Sequence, residues 1–442
     1  MTRLRLLCTS VCLPFIGSDW VQSAELGEVS FSRDIAPIFQ QHCTGCHREG
    51  KAKGKYRIDN YTHAMKSLVA GKIGESELYD RITTDDPEDR MPVDAEPLDP
   101  NDIAVIRKWI EQGAAYDADD PDAPLSAIMP VIPHPAAPAT YSRAVPVTAM
   151  AFAENGGELF TGGYHEILIW NPDDARLLRR VPDNGQRTYD LALSPDGKML
   201  AAATGTPGEA GELRIFDAKS GEVIATPVRT DDIALCVAFD PAGTRLAFGA
   251  SDGRLRIFDT ATWEESLVLT AHSDWINALD WNADGSRLAT AGRDKTAKVF
   301  DLSAGGKRLI TFSGHTEAVR GVAFHPNADE VISCGDDGLL LRWKIGDGKK
   351  SADLANFGGH AHRLIASESG YFGAGANGLA VQFALADQKR LREFRANPSP
   401  AAFAGCAVHG NRLAIGTFDG RVVFFDLESG EQTVNFVASP GH

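Results

Sequence analysis

A turn recurs in this chain at nearly constant spacing. Ala153-Glu-Asn-Gly, Ser194-Pro-Asp-Gly, Asp240-Pro-Ala-Gly, Asn282-Ala-Asp-Gly and His325-Pro-Asn-Ala each follow an apolar stretch, 41, 46, 42 and 43 residues apart. Weaker copies start near Ser367 and Ala407. After each turn comes a second apolar run, such as Arg287-Leu-Ala-Thr, and then a third that closes on an aromatic residue. Ile169-Trp170, Ile215-Phe-Asp217, Ile257-Phe-Asp259, Val299-Phe-Asp301, Arg342-Trp343 and Phe424-Phe-Asp426 are those endings. A unit of this length with four short strands cannot bury its own apolar faces, so it stacks on its neighbours as a propeller blade. Seven copies predict an all-β ring of seven blades over residues 142–442.

The copies resemble the WD-repeat family. Ala271-His272, Gly314-His315 and Gly359-His360 stand at that family's Gly-His position. The fifth copy carries a whole hydrogen-bonding set, His315, Ser333, Asp337 and Trp343. The fourth keeps His272, Thr290 and Asp294, but Phe300 replaces the tryptophan and has no N–H to donate. The resemblance implies structural roles for His272, His315 and His360. Ring closure has two sequence solutions. The last copy supplies its own outer strand near Gln432 to Phe436, or residues 139–145 add an edge strand.

The region before the ring is of a different kind. Residues 28–116 read as a compact helical unit. Residues 117–141 are rich in Pro, Ala and Asp, with prolines at 121, 124, 130, 133, 135 and 138, a composition that predicts an extended, semi-rigid linker. At the N-terminus, Arg3 and Arg5 precede an apolar run from Leu4 to Gly17, and small residues follow at Ser23 and Ala24. Residues 1–24 therefore read as an export signal. No later run is long enough to span a bilayer. The expected location is periplasmic or secreted.

The chemistry concentrates in Cys43-Thr-Gly-Cys46-His47. Two thiols three positions apart can both bond the vinyl groups of a haem, and the adjacent histidine then lies under the iron. A disulfide would explain the cysteines but not His47. A zinc site would need a fourth ligand, and no further Cys/His pair follows at zinc spacing. The expected cofactor is one covalent haem c, with His47 as one axial ligand. Met91, in Arg90-Met91-Pro92, is the best second ligand; His63, Met65 and Met129 are its rivals, and His42 reads as a surface residue. Asp34 is the expected cap of the helix before the motif, with Pro37 in its first turn. A closing helix is expected after Asp99-Pro100, stopping at Gly113, with Ile103, Ile106 and Ile110 as its apolar stripe beside Val105 and Trp109. Cys236, Cys334 and Cys406 lie alone in apolar runs and read as core.

Residues 30–116 resemble the planctomycete-type cytochrome c domain, within the class I cytochrome c fold. The matching pieces are Asp34 to Phe39, Cys43 to His47, Tyr56-Arg-Ile-Asp59, Ser76 to Ile82, Arg90 to Pro92 and Ile103 to Ala114. One departure is Gly74-Glu-Ser, where the family carries a proline before the serine. The resemblance implies an all-α cytochrome domain at 28–116 and axial ligation by Met91.

A haem whose axial positions are both filled by protein passes electrons and holds no open site for substrate. The expected function is electron transfer outside the cytoplasm, with the propeller docking redox partner proteins and the linker letting the cytochrome swing between them. Two other functions share this architecture: an oxidoreductase whose propeller holds a second cofactor, and a redox-sensing scaffold. The net charge of -16 argues against nucleic acid as a partner. Residues 147–442 carry no nucleophile motif and no phosphate loop, and their one local histidine pair is His360-Ala-His362.

Overall fold

In the computed structural model the described residues are 27–442, except 45, 49–50, 87, 94–96, 124, 130–133, 231, 326–328, 388 and 397–401. The expected export signal at 1–24 lies outside them. Among the described residues, no helix is long and apolar enough to cross a membrane.

Seven antiparallel four-stranded sheets follow one another along the chain, at 150–181, 187–230, 234–270, 276–312, 319–356, 361–395 and 403–437. Each blade is built from four consecutive strands, ordered inner to outer as they occur in sequence. The inner strand of each blade packs on that of the next, and apolar residues of adjacent blades share cores. Val147, Met150 and Phe152 meet Ala414, Val422 and Phe424 in this way.

Ring closure is thereby settled in favour of the first solution. The last blade supplies its own outer strand, Gln432–Val437, and residues 139–145 form no strand. The seam is instead tied by single hydrogen bonds. Val147 N–H donates to Thr417 O (3.1 Å), Tyr141 N–H to Pro440 O (2.8 Å) and Val145 N–H to Ser439 Oγ (3.3 Å). The approach is so close that a Cβ on Gly416 would stand 2.3 Å from Val147 O.

The hydrogen-bonding set of the fifth blade is complete. His315 Nδ1 meets Asp337 at 3.0 Å, its Nε2 meets Ser333 Oγ at 2.9 Å, and Trp343 Nε1–H donates to Ser333 Oγ at 3.1 Å. In the fourth blade His272 lies 2.9 Å from Asp294 and 2.7 Å from Thr290, and the chain of contacts stops there because Phe300 has no donor. The sixth blade corrects the sequence reading. His360 is an exposed side chain that reaches Asp336 at 3.4 Å and takes no part in such a set. Phe357 fills the slot instead: a Cβ on Gly375 would meet the Phe357 ring at 3.0 Å, where on Gly292 and Gly335 it would meet His272 and His315. Position 373 is glycine, so no hydroxyl waits there for an imidazole.

Burial lowers the pKa of His272 and of His315, with Asp294 and Asp337 partly opposing the shift. Burial also works against ionised Asp294, but hydrogen bonds with His272 and Thr296 outweigh it and hold that carboxyl below its ordinary value. The unfolded chain binds protons on these imidazoles near 6.5, where the folded chain does not. Stability then rises with pH through that window and falls below it; ionised Asp294 adds a further loss in acid below its ordinary 3.8. The melting temperature is expected to drop steadily from pH 7 to pH 5. A flat profile over that range would contradict neutral, buried imidazoles.

Candidate functional site

The N-terminal region is made of short helices and one two-residue ladder around a single core. Phe31, Ile35, Phe39, Trp109 and Ile110 are fully buried in it. Its first helical run starts at Ser30, whose Oγ accepts from Arg33 N–H (3.0 Å), while Asp34 Oδ2 accepts from Ser30 N–H (2.9 Å). Asp34 is therefore not the cap residue but its reciprocal partner. The run opens with a π-helical turn, Phe31–Ile35, and becomes α-helix α1 at Ala36–His42. Pro37 falls at this junction, where its missing N–H matters least. The closing helix spans Pro100–Glu111 as α2, capped by Asp99 on Asn101 N–H (2.7 Å), and Gly113 takes the left-handed conformation after it (φ 100°). It buries Ile106, Trp109 and Ile110, leaving Ile103 and Val105 half-buried at the margin.

The cysteine motif begins where α1 stops. Cys43 follows the last helical residue and Cys46 stands in a turn. The turn keeps helix-like closure: Cys46 N–H and His47 N–H both donate to Cys43 O, at 3.1 and 3.0 Å. Thr44 Oγ1 donates back to Gln40 O (2.8 Å). His47 then enters the ladder opposite Ala52, and its carbonyl accepts from Ile58 N–H (2.8 Å). Its Nδ1 lies 3.2 Å from Tyr56 O. A carbonyl only accepts, so Nδ1 carries a proton, which in the neutral imidazole leaves the lone pair on Nε2.

Both cysteines are free thiols, and burial pushes Cys43 up to about 12. Met91 is half-buried and packs on the same core as Cys43, Tyr56 and Met65. Its N–H donates to Arg81 O (2.8 Å), and Arg81 also binds Asp89 in the loop just before it (2.6 Å). The rivals are placed differently. His63 Nδ1 is 3.0 Å from Asp59, His42 Nε2 is 3.7 Å from Asp102, and Met65 and Met129 border the same core. One thiol pair, one imidazole engaged through Nδ1 and a half-buried thioether on the same core are the candidate ligand groups of this region. Among the described residues, no group of three His, Cys, Asp or Glu side chains is arranged to hold a metal ion.

The segment expected as a free spacer is largely bound at both ends. Leu125 is buried in the N-terminal core, Thr62 N–H donates to Pro121 O (3.1 Å), and Asn60 Nδ2 to Asp122 O (3.2 Å). On the propeller side, His134 N–H donates to Asp183 Oδ1 (2.6 Å) and its ring meets Glu212. Arg180 donates to Pro138 O (2.6 Å) and Ala139 O (2.9 Å), and Tyr141 Oη–H to Glu166 (2.6 Å). Composition predicted an extended spacer, whereas Leu125–Ile128 form a helical turn. It could not reveal donors on the propeller that capture this backbone.

The family model described as Planctomycete cytochrome C matches residues 43–94, from the first cysteine of the motif to just past Met91. The model of the WD domain, G-beta repeat, matches residues 223–259, 263–301 and 306–344. Each of these three matches starts at or within two residues before the outer strand of one blade and ends on the third strand of the next. Among curated relatives, polyadenylation factor subunit 2 from two strains of Cryptococcus neoformans var. neoformans serotype D is 38% identical over 47 residues. That match covers 11% of this chain and 7% of the relative, so the chain spans only a small part of the protein it matches. The chain thus joins a segment that matches the Planctomycete cytochrome C model to a seven-bladed propeller, part of which matches the WD-repeat model.

Proposed function

We propose that this protein is an electron carrier acting outside the cytoplasm, in the periplasm or as a secreted protein. One haem c would be held through Cys43 and Cys46, with His47 and Met91 supplying ligands to its iron. The region 28–116 serves as its class I cytochrome c-like domain. The observation that carries this reading is the contact of His47 Nδ1 with Tyr56 O (3.2 Å): a neutral imidazole held in this way presents Nε2 as a ligand, next in sequence to two free thiols. When bound, the haem supplies a one-electron couple. The chain's own residues bind it, shield it with the core around Phe39 and Trp109, and set its potential through the thioether of Met91. The propeller offers a broad rigid surface on which a redox partner protein docks.

The test is a reduced-minus-oxidised visible spectrum of protein exported with haem-maturation machinery, before and after acid–acetone extraction. A single c-type signal that stays with the protein is expected. Haem lost to the solvent would overturn covalent attachment, and a second chromophore would overturn the passive propeller. In Met91→Ala the weak sulfur-to-iron band at the red end should vanish, with covalent haem retained. Persistence of that band would move the ligand to Met65 or Met129.

A further inference from the structure

The hydrogen bond that fixes the tautomer of His47 comes from a main-chain carbonyl, and a carbonyl is only as well placed as its residue. Tyr56 belongs to no helix or strand. What holds it is its own side chain. The Tyr56 ring packs on the His47 ring (centroids 5.4 Å apart, 59° between planes) and is half-buried against the common core. Its phenol oxygen accepts from Ser67 Oγ–H at 2.5 Å and faces Ala64 O at 3.4 Å. Ser67 in turn stands on a well-anchored turn. Asn60 caps the preceding helix by accepting from His63 N–H (2.7 Å), and Asn60 Nδ2 is tied to Asp122 O (3.2 Å). A continuous path thus runs from Ser67 through the phenol and backbone of Tyr56 to Nδ1 of His47.

We propose that Ser67 and Tyr56 are positioning residues for His47, setting its tautomer and the strength of its Nδ1–H bond, and through these the electron-donating power of Nε2. This rests on the haem-ligand reading of His47. Removing the Ser67 hydroxyl leaves the phenol only its longer contact with Ala64 O (3.4 Å), loosens the Tyr56 carbonyl and weakens the bond at Nδ1. The imidazole then donates less charge at Nε2, which favours the reduced state of a bound iron.

The experiment uses the full chain, with Ser67→Ala, Tyr56→Phe and Ser67→Thr as variants. Histidine-selective ¹⁵N NMR of the haem-free protein reads the His47 tautomer. Redox titration of the exported, haem-loaded protein reads the potential. The wild type is expected to show Nδ1–H alone, Ser67→Ala and Tyr56→Phe a mixture of tautomers with a raised potential, and Ser67→Thr the wild-type values in both. Unchanged tautomer and potential in folded Ser67→Ala and Tyr56→Phe would overturn the proposal. If no variant and no wild type attaches haem, the electron-carrier reading fails by itself. The ¹⁵N spectra then still decide the positioning claim, because mixed tautomers in the wild type would refute it.

Discussion

Replacing both Cys43 and Cys46 with alanine is expected to abolish covalent haem and to leave the propeller folded. The two thiols are the only bonds by which the protein would hold the porphyrin against extraction. Among the described residues the blade cores and the core around Phe31 and Trp109 are separate clusters, and the turn Leu125–Ile128 touches the second blade's outer strand. Haem staining of a denaturing gel should fall from full signal to none, while far-ultraviolet circular dichroism keeps the β signature of the ring. The single variants should give intermediate yields, since one thioether still anchors the group. A double variant that carries haem through denaturation would refute the central assignment of this motif.

The second large effect is expected far from the haem site. Arg363, on the inner strand of the sixth blade, reaches Asp190 on the inner strand of the second, 173 residues away. These blades are not neighbours, so the ion pair crosses the central opening of the ring. The second oxygen of Asp190 accepts from Val237 N–H (3.2 Å) in the third blade. Arg363→Ala strands a buried carboxylate and should cost about 3–5 kcal/mol. Replacing both partners with apolar residues of similar volume, Asp190→Leu with Arg363→Met, should cost far less, because no charge is then left alone. Urea midpoints of the single and double variants separate the cases. A single variant as stable as the wild type would show the pair to be water-exposed and weak.

How much of this could be read in the sequence follows from the range of each interaction. Blade number was legible because each unit repeats its turn and its aromatic ending. The sets around His272 and His315 were legible because all their members lie within one repeat. His360 was misread because the Gly-His pair looks the same whether the imidazole turns inward or outward. Phe357, which takes the inward slot, has no signal until the glycines at 373 and 375 are seen beneath it. The Asp190–Arg363 brace has no period and no motif. Cys43, Cys46, His47 and Met91 stood out by residue type and spacing, whereas Tyr56 contributes a carbonyl, which every residue possesses. The helix cap was assigned to Asp34 rather than Ser30 because both side chains can accept from a backbone N–H and only the geometry shows which N–H each one holds.

The closure of the ring without an exchanged strand bears on how the chain acquires its shape during synthesis. Each blade is finished before the next begins, so the faces between successive blades are covered in the order in which they emerge, and only the face at Val147, Met150 and Phe152 waits for the seventh blade. A ring closed by a swapped strand would have to keep an open sheet edge waiting until the far end of the chain arrived. Here the bonds that must wait are those joining 141–147 to 417–440, and they seal a sheet that is already complete. The growing chain therefore never depends on a strand still to be made, which limits the time any edge stands open to another copy.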